Sequence, residues 1–263
     1  MHQMEAVSLD DLVPNTHSYR QFSALWSFEG VAQHLKKLEK DNAYKGYGLL
    51  RLFKCLLLQF LEDISDRELQ RFLQENTAAK WFCGFGLAEK TPDYFVFSEL
   101  RKRIGTKVLS NIFSDLREQL KAQGVMNEVF SFVDATHLIS KAALWQERDK
   151  AIKAKYDKLN NDVLPKVAAD KQARIGCKGK KKYWYGYKQH TSVDMQSGLI
   201  NIEKKIVGLV TFAHLMSVRV FSKRNKRVRY RGVARNQFSA FMYAISFNLK
   251  RLVVLDPPSL ALT

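Results

Sequence analysis

VFSFVDAT, residues 129–136, marks the point at which the chain changes character. Val129 to Val133 are β-branched or aromatic apart from one serine, which predicts a buried strand with Asp134 at its end. An acid at the end of a strand is usually a turn former or a helix cap. Metal binding is the functional alternative for Asp134, and this stretch alone leaves both interpretations open.

The residues before this stretch follow helical spacing. From Gly46 to Leu61 apolar side chains recur every three or four positions, which predicts a buried helix. Ser65 and Glu68 have the spacing of a capping box, in which each side chain binds the backbone amide of the other residue. A second helix is therefore predicted from Ser65 to about Asn76.

A long helix completes the helical part. Thr91-Pro92-Asp93 is a turn signal, and Gly124 is typical of a helix C-terminus. Between them an apolar stripe at four-residue spacing predicts one continuous helix: Leu100, Ile104, Val108, Ile112, Leu116 and Leu120. With an irregular connector at 81–92, residues 1–125 are predicted to form an all-helical domain. Such a domain is either a DNA-binding unit or an ordinary helical bundle.

Beyond residue 136 the pattern is mixed. Residues 145–170 are polar and charged, which predicts an exposed loop or a loose helix. Aromatic residues predict a strand over 183–194 that returns over 199–207, and with 129–133 these form an antiparallel three-stranded meander. A last helix is predicted at 235–252, with an inward face made of Phe238, Phe241, Met242, Ile245 and Leu249.

The excess of positive charge lies in the second half of the chain. The 263 residues hold 43 Lys and Arg against 26 Asp and Glu, a net charge of +17. Residues 1–125 carry 17 basic and 16 acidic side chains, whereas residues 126–263 carry 26 and 10. This asymmetry favours a polyanionic partner for the second half, and nucleic acid before a membrane.

Two clusters supply the candidate DNA-binding residues. The first is a glycine- and lysine-rich run with the strand after it: Lys178, Lys180, Lys181, Lys182 and Lys188. The second lies within 204–255, which has twelve basic side chains and no carboxylate: Arg224, Lys226, Arg227, Arg229 and Arg231. Such groups suit contact with phosphates, where charge matters more than geometry. A solvated lysine loop is the alternative interpretation of the first cluster.

Composition excludes several classes of protein. The hydrophobic fraction of 46% is too high for a disordered chain. Cys55, Cys83 and Cys177 form no C-x-x-C pair, which argues against a disulfide framework or a tetrahedral zinc site and favours a reducing compartment. The sequence shows neither a signal peptide nor an apolar run long enough to span a bilayer, so we expect a cytoplasmic protein.

Several short motifs follow one another in a specific order along the chain. They are Leu12-Val13-Pro14, Ile64 to Leu69, Pro92-Asp93, Val133 to Thr136, Gly179-Lys180-Lys181, Tyr185 to Lys188 and Asn248 to Arg251. In this order they resemble the transposases of bacterial insertion sequences, of the DDE type with an RNase H-like catalytic core. The resemblance extends over nearly the whole chain.

The resemblance implies an α+β protein with an N-terminal all-helical domain followed by an incomplete RNase H-like α/β domain. The helical transposase domain covers residues 1–125. The first part of the RNase H-like domain covers 126–210. Residues 211–263 are then a basic segment and a helix that remain from the same domain.

The resemblance also implies which residues perform the chemistry. The family holds Mg²⁺ with an Asp on the first strand, an Asp on a later strand and a Glu on a helix, because paired magnesium ions need several carboxylates. Asp134 matches the first of these as the catalytic and metal-binding residue. Only about a dozen residues join Thr211 to the basic segment, and Val218 stands where the Glu is expected.

The chain is therefore predicted to be an internally deleted transposase. One carboxylate cannot replace the hydration of two magnesium ions, so we expect weak Mg²⁺ binding and negligible strand cleavage. The implied partners are DNA, namely the terminal inverted repeats of the element, and a second copy or an intact transposase in an oligomer. No membrane partner is implied, and the expected location is the bacterial cytoplasm.

Two alternatives stay open on the sequence. The first is an active nuclease and transposase that uses Asp134, Asp194 and Glu203. The second is a non-enzymatic basic nucleic-acid-binding protein whose likeness to the family is accidental. Metal-dependent cleavage separates the first alternative from the others.

Overall fold

The computed structural model describes residues 7–39, 46–127, 129–140, 144–156, 159–178, 182–201, 228 and 230–255. At 39, 133–136, 144, 145, 177, 178, 182 and 183 it describes the backbone alone. Within these ranges the chain is a mixture of helices and one small antiparallel sheet, which confirms the predicted α+β class at that level.

The helices and strands have the following bounds in chain order. The helices are α1 Ser18–Leu25, α2 Glu29–Glu39, α3 Leu49–Leu61, α4 Asp66–Glu75, α5 Thr77–Cys83, α6 Tyr94–Ala122, α7 Leu144–Lys153, α8 Leu164–Val167 and α9 Val233–Leu255. The strands are β1 Ser131–Ile139, β2 Arg174–Lys178 and β3 Lys182–Asp194.

The chain divides into two compact units. Unit 1 consists of Met1–Met126 with Phe241–Thr263, and unit 2 consists of Asn127–Ala240. The division falls within α9, so its first eight residues belong to unit 2 and the rest to unit 1. The sequence-based division at residue 125 instead assigned the whole of this helix to the second domain.

Helix α3 is the core of unit 1, as its apolar spacing predicts. Ten of its thirteen residues are buried, and it packs against α2, α4, α5 and α6. Gln59 is a fully buried polar residue of this helix, and its Nε2 donates to Asp66 Oδ1 at 2.5 Å. Arg101 of α6 donates to the same oxygen at 2.9 Å, so one polar cluster links three helices.

The predicted capping box at Ser65 is confirmed. The Glu68 amide donates to Ser65 Oγ at 3.3 Å, and the Ser65 amide donates to Glu68 Oε2 at 2.7 Å. The predicted end of this helix near Asn76 is also confirmed. Asn76 then caps a further short helix, α5, through its side chain, so residues 81–83 of the predicted connector are helical.

The predicted long helix exists as α6, but it is kinked. Gly105 has φ 64° and ψ 177°, a conformation outside the helical region. Ile104 is buried before the kink and Leu109 after it, whereas Val108 is partly exposed. The prediction of Val108 as an inward residue is wrong, since Leu109 is buried in its place. The other predicted inward residues are buried: Leu100, Ile104, Ile112, Leu116 and Leu120.

The sheet has the strand order β1-β3-β2, with both neighbouring pairs antiparallel. The predicted strand at 183–194 is confirmed as its central strand. The predicted third strand at 199–207 is replaced within the described residues by β2, which forms a hairpin with β3. Ile200 makes a single bridge to Val193, and residues 202–207 lie outside the described residues.

Strand β1 differs from its prediction in position and burial. It begins at Ser131 and continues to Ile139, because β3 is long enough to pair with all nine residues. Asp134 therefore lies inside the strand and not at its end. Val129 and Phe130 precede the strand and are 74% and 70% exposed, so the prediction that they are buried is wrong.

Helix α9 has the predicted inward face, since Phe238, Phe241, Met242, Ile245 and Leu249 are all buried. By length and composition alone, Val233–Leu255 also meets the criteria for a membrane span. However, 67% of its most apolar window is buried inside the protein, which is typical of a core helix.

Candidate nucleic-acid interface

The register of the sheet sorts its residues onto two faces. Residues directly opposite each other in an antiparallel pair share a face, and successive residues alternate between faces. Gly186 lies opposite both Ile139 and Arg174, which fixes the sorting for all three strands. One face, which we call the basic face, carries these positions: Ser131, Val133, Ala135, His137, Ile139, Arg174, Gly176, Lys178, Lys182, Trp184, Gly186, Lys188, His190, Ser192 and Asp194.

The opposite face is the more buried one. Tyr185 is 3% exposed and belongs to a small core with Leu164, Ala168 and Ala173. Burial, together with the nearby carboxylates of Glu147 and Asp170, raises the pKa of Tyr185 to about 12. Helix α8 and the segment after it thus cover this side of the sheet.

Asp170 organises the polar part of this covered side. Its carboxylate accepts hydrogen bonds from Tyr187 Oη at 2.6 and 2.7 Å and from Ser140 Oγ at 3.2 Å. The Gly232 amide donates to Asp170 Oδ2 at 3.3 Å, and the Val233 amide donates to Gln172 Oε1 at 2.6 Å. Neutral donors satisfy the buried Asp170, which gives it a structural role at the start of α9.

The basic face brings together three of the predicted DNA-binding positions. Positions 178, 182 and 188 share it, and Lys178 pairs directly with Lys182 at the end of the hairpin where β2 connects to β3. Arg174 joins them on the same face and is exposed, a contribution that the sequence reasoning missed. Strict alternation of residues along β2 and β3 is the signal that identifies it.

Two histidines, His137 and His190, also lie on the basic face. Burial, and secondarily the charge of Lys188, lowers the pKa of His190 to about 4. His190 is therefore neutral at physiological pH. The ring of His137 lies beside Trp184, with centroids 4.9 Å apart and planes 32° apart.

The remaining predicted DNA-binding residues fall largely outside the described residues. Lys180 and Lys181 lie in the link between β2 and β3, and Arg224, Lys226, Arg227 and Arg229 precede α9; none of these six is described. Arg231 is described and is exposed.

Asp134 lies on the covered face, away from the basic face. It pairs with Thr191, and its diagonal neighbours on β3 are Gln189 and Val193, none of which is acidic. Asp194 pairs with Ser131, three positions away, so the pleat assigns it to the opposite face at roughly 10 Å along the strand. Positions 134 and 194 therefore do not form a carboxylate pair.

Asp194 has its own structural partners. Its Oδ2 accepts from the Ser197 amide at 2.8 Å and from Ser197 Oγ at 2.6 Å, which closes the turn after β3. Among the described parts of the chain, no group of three or more His, Cys, Asp or Glu residues has the arrangement of a metal site. Glu203 and Val218 lie outside the described residues.

Comparison with known proteins gives one match. Residues 7–103 match the family model described as "Transposase domain (DUF772)", a region that runs from before α1 into the first part of α6. No curated protein and no solved structure matches the chain. The match supports a transposase family through the helical part, and it does not extend to the sheet.

Proposed function

We propose that this chain, whose helical part matches a transposase domain, binds the terminal inverted repeats of an insertion sequence and has lost strand cleavage. The matched domain supports a function of the transposase type. The single observation that carries DNA binding is the basic face of the sheet, where the cations of β2 and β3 lie on one side.

The charge of this face supports contact with the phosphate backbone. Arg174 and Lys188 lie on it together with positions 178 and 182, and the acid among its described residues, Asp194, is 2% exposed. A surface that only keeps a protein soluble normally mixes the two signs of charge. Backbone contacts set the strength and orientation of DNA binding, and they carry no sequence information by themselves.

The position of Asp134 supports the loss of cleavage. Magnesium ions in such sites need several hard oxygen ligands, and the neighbours of Asp134 across the strands are Thr191, Gln189 and Val193. The described residues do not fit a two-metal site. We therefore assign no metal-dependent step to this chain, and we propose that its RNase H-like domain is an internally deleted remnant.

Binding can be tested with a duplex that carries the terminal repeats and a shuffled duplex of equal length, over a series of salt concentrations. We expect tighter binding to the repeats and a steep loss of affinity with salt. Lys188→Gln should weaken binding to both duplexes and reduce the salt slope by about 0.9. Lys150→Gln, an exposed lysine of α7, is the matched control and should change neither. Equal affinity for both duplexes would contradict recognition of the element ends and favour a general nucleic-acid-binding protein.

Cleavage can be tested on the same repeat duplex with Mg²⁺ or Mn²⁺. We expect no metal-dependent cleavage by the wild-type chain or by Asp134→Asn. Cleavage that the wild type shows and Asp134→Asn lacks would overturn the proposed loss of activity, while the binding result would stand. This outcome would favour the alternative of an active nuclease and transposase in which Asp134 is a catalytic residue.

A chain that binds element ends without cutting them has a regulatory consequence. In the bacterial cytoplasm it competes with an intact transposase for the same DNA, directly or in mixed oligomers. Expression of this chain beside an intact copy should therefore lower the transposition frequency, and Lys188→Gln should weaken this inhibition.

A further inference from the structure

Trp184 lies across the backbone of the neighbouring strand on the basic face. A Cβ atom added at Gly176 would lie 2.3 Å from Cζ2 and 2.4 Å from Cε2 of the indole ring. The ring therefore occupies the space that any side chain at position 176 would fill. Glycine at this position allows an aromatic ring to rest directly on the sheet.

A second ring extends this aromatic surface. The imidazole of His137 lies 4.9 Å from the Trp184 ring, tilted by 32°, and both side chains are partly exposed. Gly186 occupies the same face between Trp184 and Lys188 and has no side chain. Trp184 and His137, which we call the aromatic pair, thus form an aromatic patch that lies close to the sheet backbone.

Cations surround the aromatic pair. Lys188 lies directly opposite His137, and Arg174 lies opposite Gly186 on the other side of β3. The acid of this face, Asp194, is buried and bonded to Ser197. A partner for this patch must therefore combine negative charge with flat apolar groups.

We propose that the aromatic pair is a stacking platform for unpaired bases of single-stranded DNA. Single-stranded nucleic acid has the required combination, because its phosphates follow cationic groups while its bases stack on aromatic side chains. In a duplex the faces of the bases are already stacked on each other, so the platform is specific for unpaired nucleotides. The proposal rests on the DNA binding proposed above and adds that this face binds unpaired nucleotides as well as duplex DNA.

The test compares a labelled fifteen-nucleotide thymidine oligomer with an abasic oligomer of the same length, by fluorescence anisotropy on the full chain. The two oligomers have the same backbone charge, and only the first has bases. We expect the thymidine oligomer to bind about tenfold more tightly, since stacking on an aromatic side chain contributes at that scale. Equal affinities of the wild-type chain for the two oligomers would overturn the proposal.

Variants separate stacking from folding. Trp184→Leu should bring the ratio of the two affinities close to one and leave the affinity for the abasic oligomer unchanged, whereas Trp184→Phe should retain most of the ratio. Trp81→Leu removes a tryptophan from unit 1 and should leave the ratio unchanged. A ratio that persists in a folded Trp184→Leu chain, as judged by circular dichroism, contradicts the platform.

The same experiment distinguishes the two proposals. If neither oligomer binds at low salt, the proposed DNA binding fails along with the platform. If both bind with equal affinity and steep salt dependence, backbone binding holds and the aromatic pair is ordinary packing on the sheet.

Discussion

Ser65 fixes the start of α4 with a reciprocal pair of hydrogen bonds. Its Oγ accepts from the backbone amide of Glu68 in the first turn of the helix. Ser65→Ala should lower the free energy of unfolding by about 1 kcal/mol, the usual contribution of a helix cap. Urea unfolding followed by circular dichroism measures this loss. Ser98→Ala, at an exposed position inside α6, is the control and should change stability by less than about 0.5 kcal/mol.

His190 links the stability of the protein to pH. Burial lowers its pKa from 6.5 to about 4, and its Nε2 atom is buried without a hydrogen bond among the described residues. Between pH 6.5 and 4 the unfolded chain binds a proton that the folded protein does not, so folding loses stability as the pH falls.

The variant His190→Gln removes this proton-linked loss. We expect its stability relative to the wild type to improve steadily from pH 6.5 to pH 4 and to stay constant above pH 7. Urea midpoints at matched pH values measure the difference. A difference that does not change with pH would show that His190 titrates in the folded protein as it does in water.

The kink of α6 depends on one glycine. Gly105 has φ 64° and ψ 177°, a region that is nearly exclusive to glycine, and an added Cβ would meet no atom within 4 Å. Gly105→Ala should therefore lower stability by about 1–3 kcal/mol through backbone strain alone. Gly46→Ala, where a Cβ also meets nothing within 4 Å and φ is not positive, should be neutral within about 0.5 kcal/mol in the same urea assay.

The elements that the sequence predicts well are those with strong local signals. The spacing in α3 and α9 and the cap at Ser65 each specify a helix without help from distant residues. The kink at Gly105 has no such signal, since a glycine inside a helical pattern is often tolerated. The non-helical conformation of Gly105 appears only once the backbone is known.

The sheet, in contrast, depends on pairing between distant residues, which local sequence patterns do not predict. Strand β2 is five residues long and contains Gly176, so its local pattern indicates a loop, and pairing with β3 makes it a strand. The basic face could likewise be predicted from the sequence only in part. Lys188 follows from charge, whereas Arg174, His137 and Trp184 require the register that brings separate strands onto one face.

At the scale of the whole molecule, unit 1 is discontinuous in sequence. Phe60 of α3 packs against Tyr243 of α9 with ring centroids 4.7 Å apart, and Phe113 packs against Phe241 at 5.9 Å. The end of α9 is thus part of the hydrophobic core of the helical unit.

A fragment of residues 1–126 should therefore be less stable than unit 1 in the full chain. Loss of the aromatic contacts of Phe241 and Tyr243 should lower its free energy of unfolding by about 3 kcal/mol or more. Urea unfolding of the fragment measures this, and a peptide of residues 241–255 added in trans should restore part of the loss. The same peptide with Phe241→Ser is the control and should restore less. A fragment as stable as the full chain would show that α9 adds nothing to this core.

Helix α9, which contributes to both units, also affects when unit 1 can complete its fold during synthesis. A ribosome adds roughly 5–20 residues per second, so the 129 residues from Asn127 to Leu255 take on the order of 6 to 26 s to appear. During this interval Phe60 and Phe113 lack their aromatic neighbours on α9, Tyr243 and Phe241. A nonsense mutation before residue 241 removes these contacts permanently, so we expect it to lower the stability of the helical unit and with it the amount of protein in the cell.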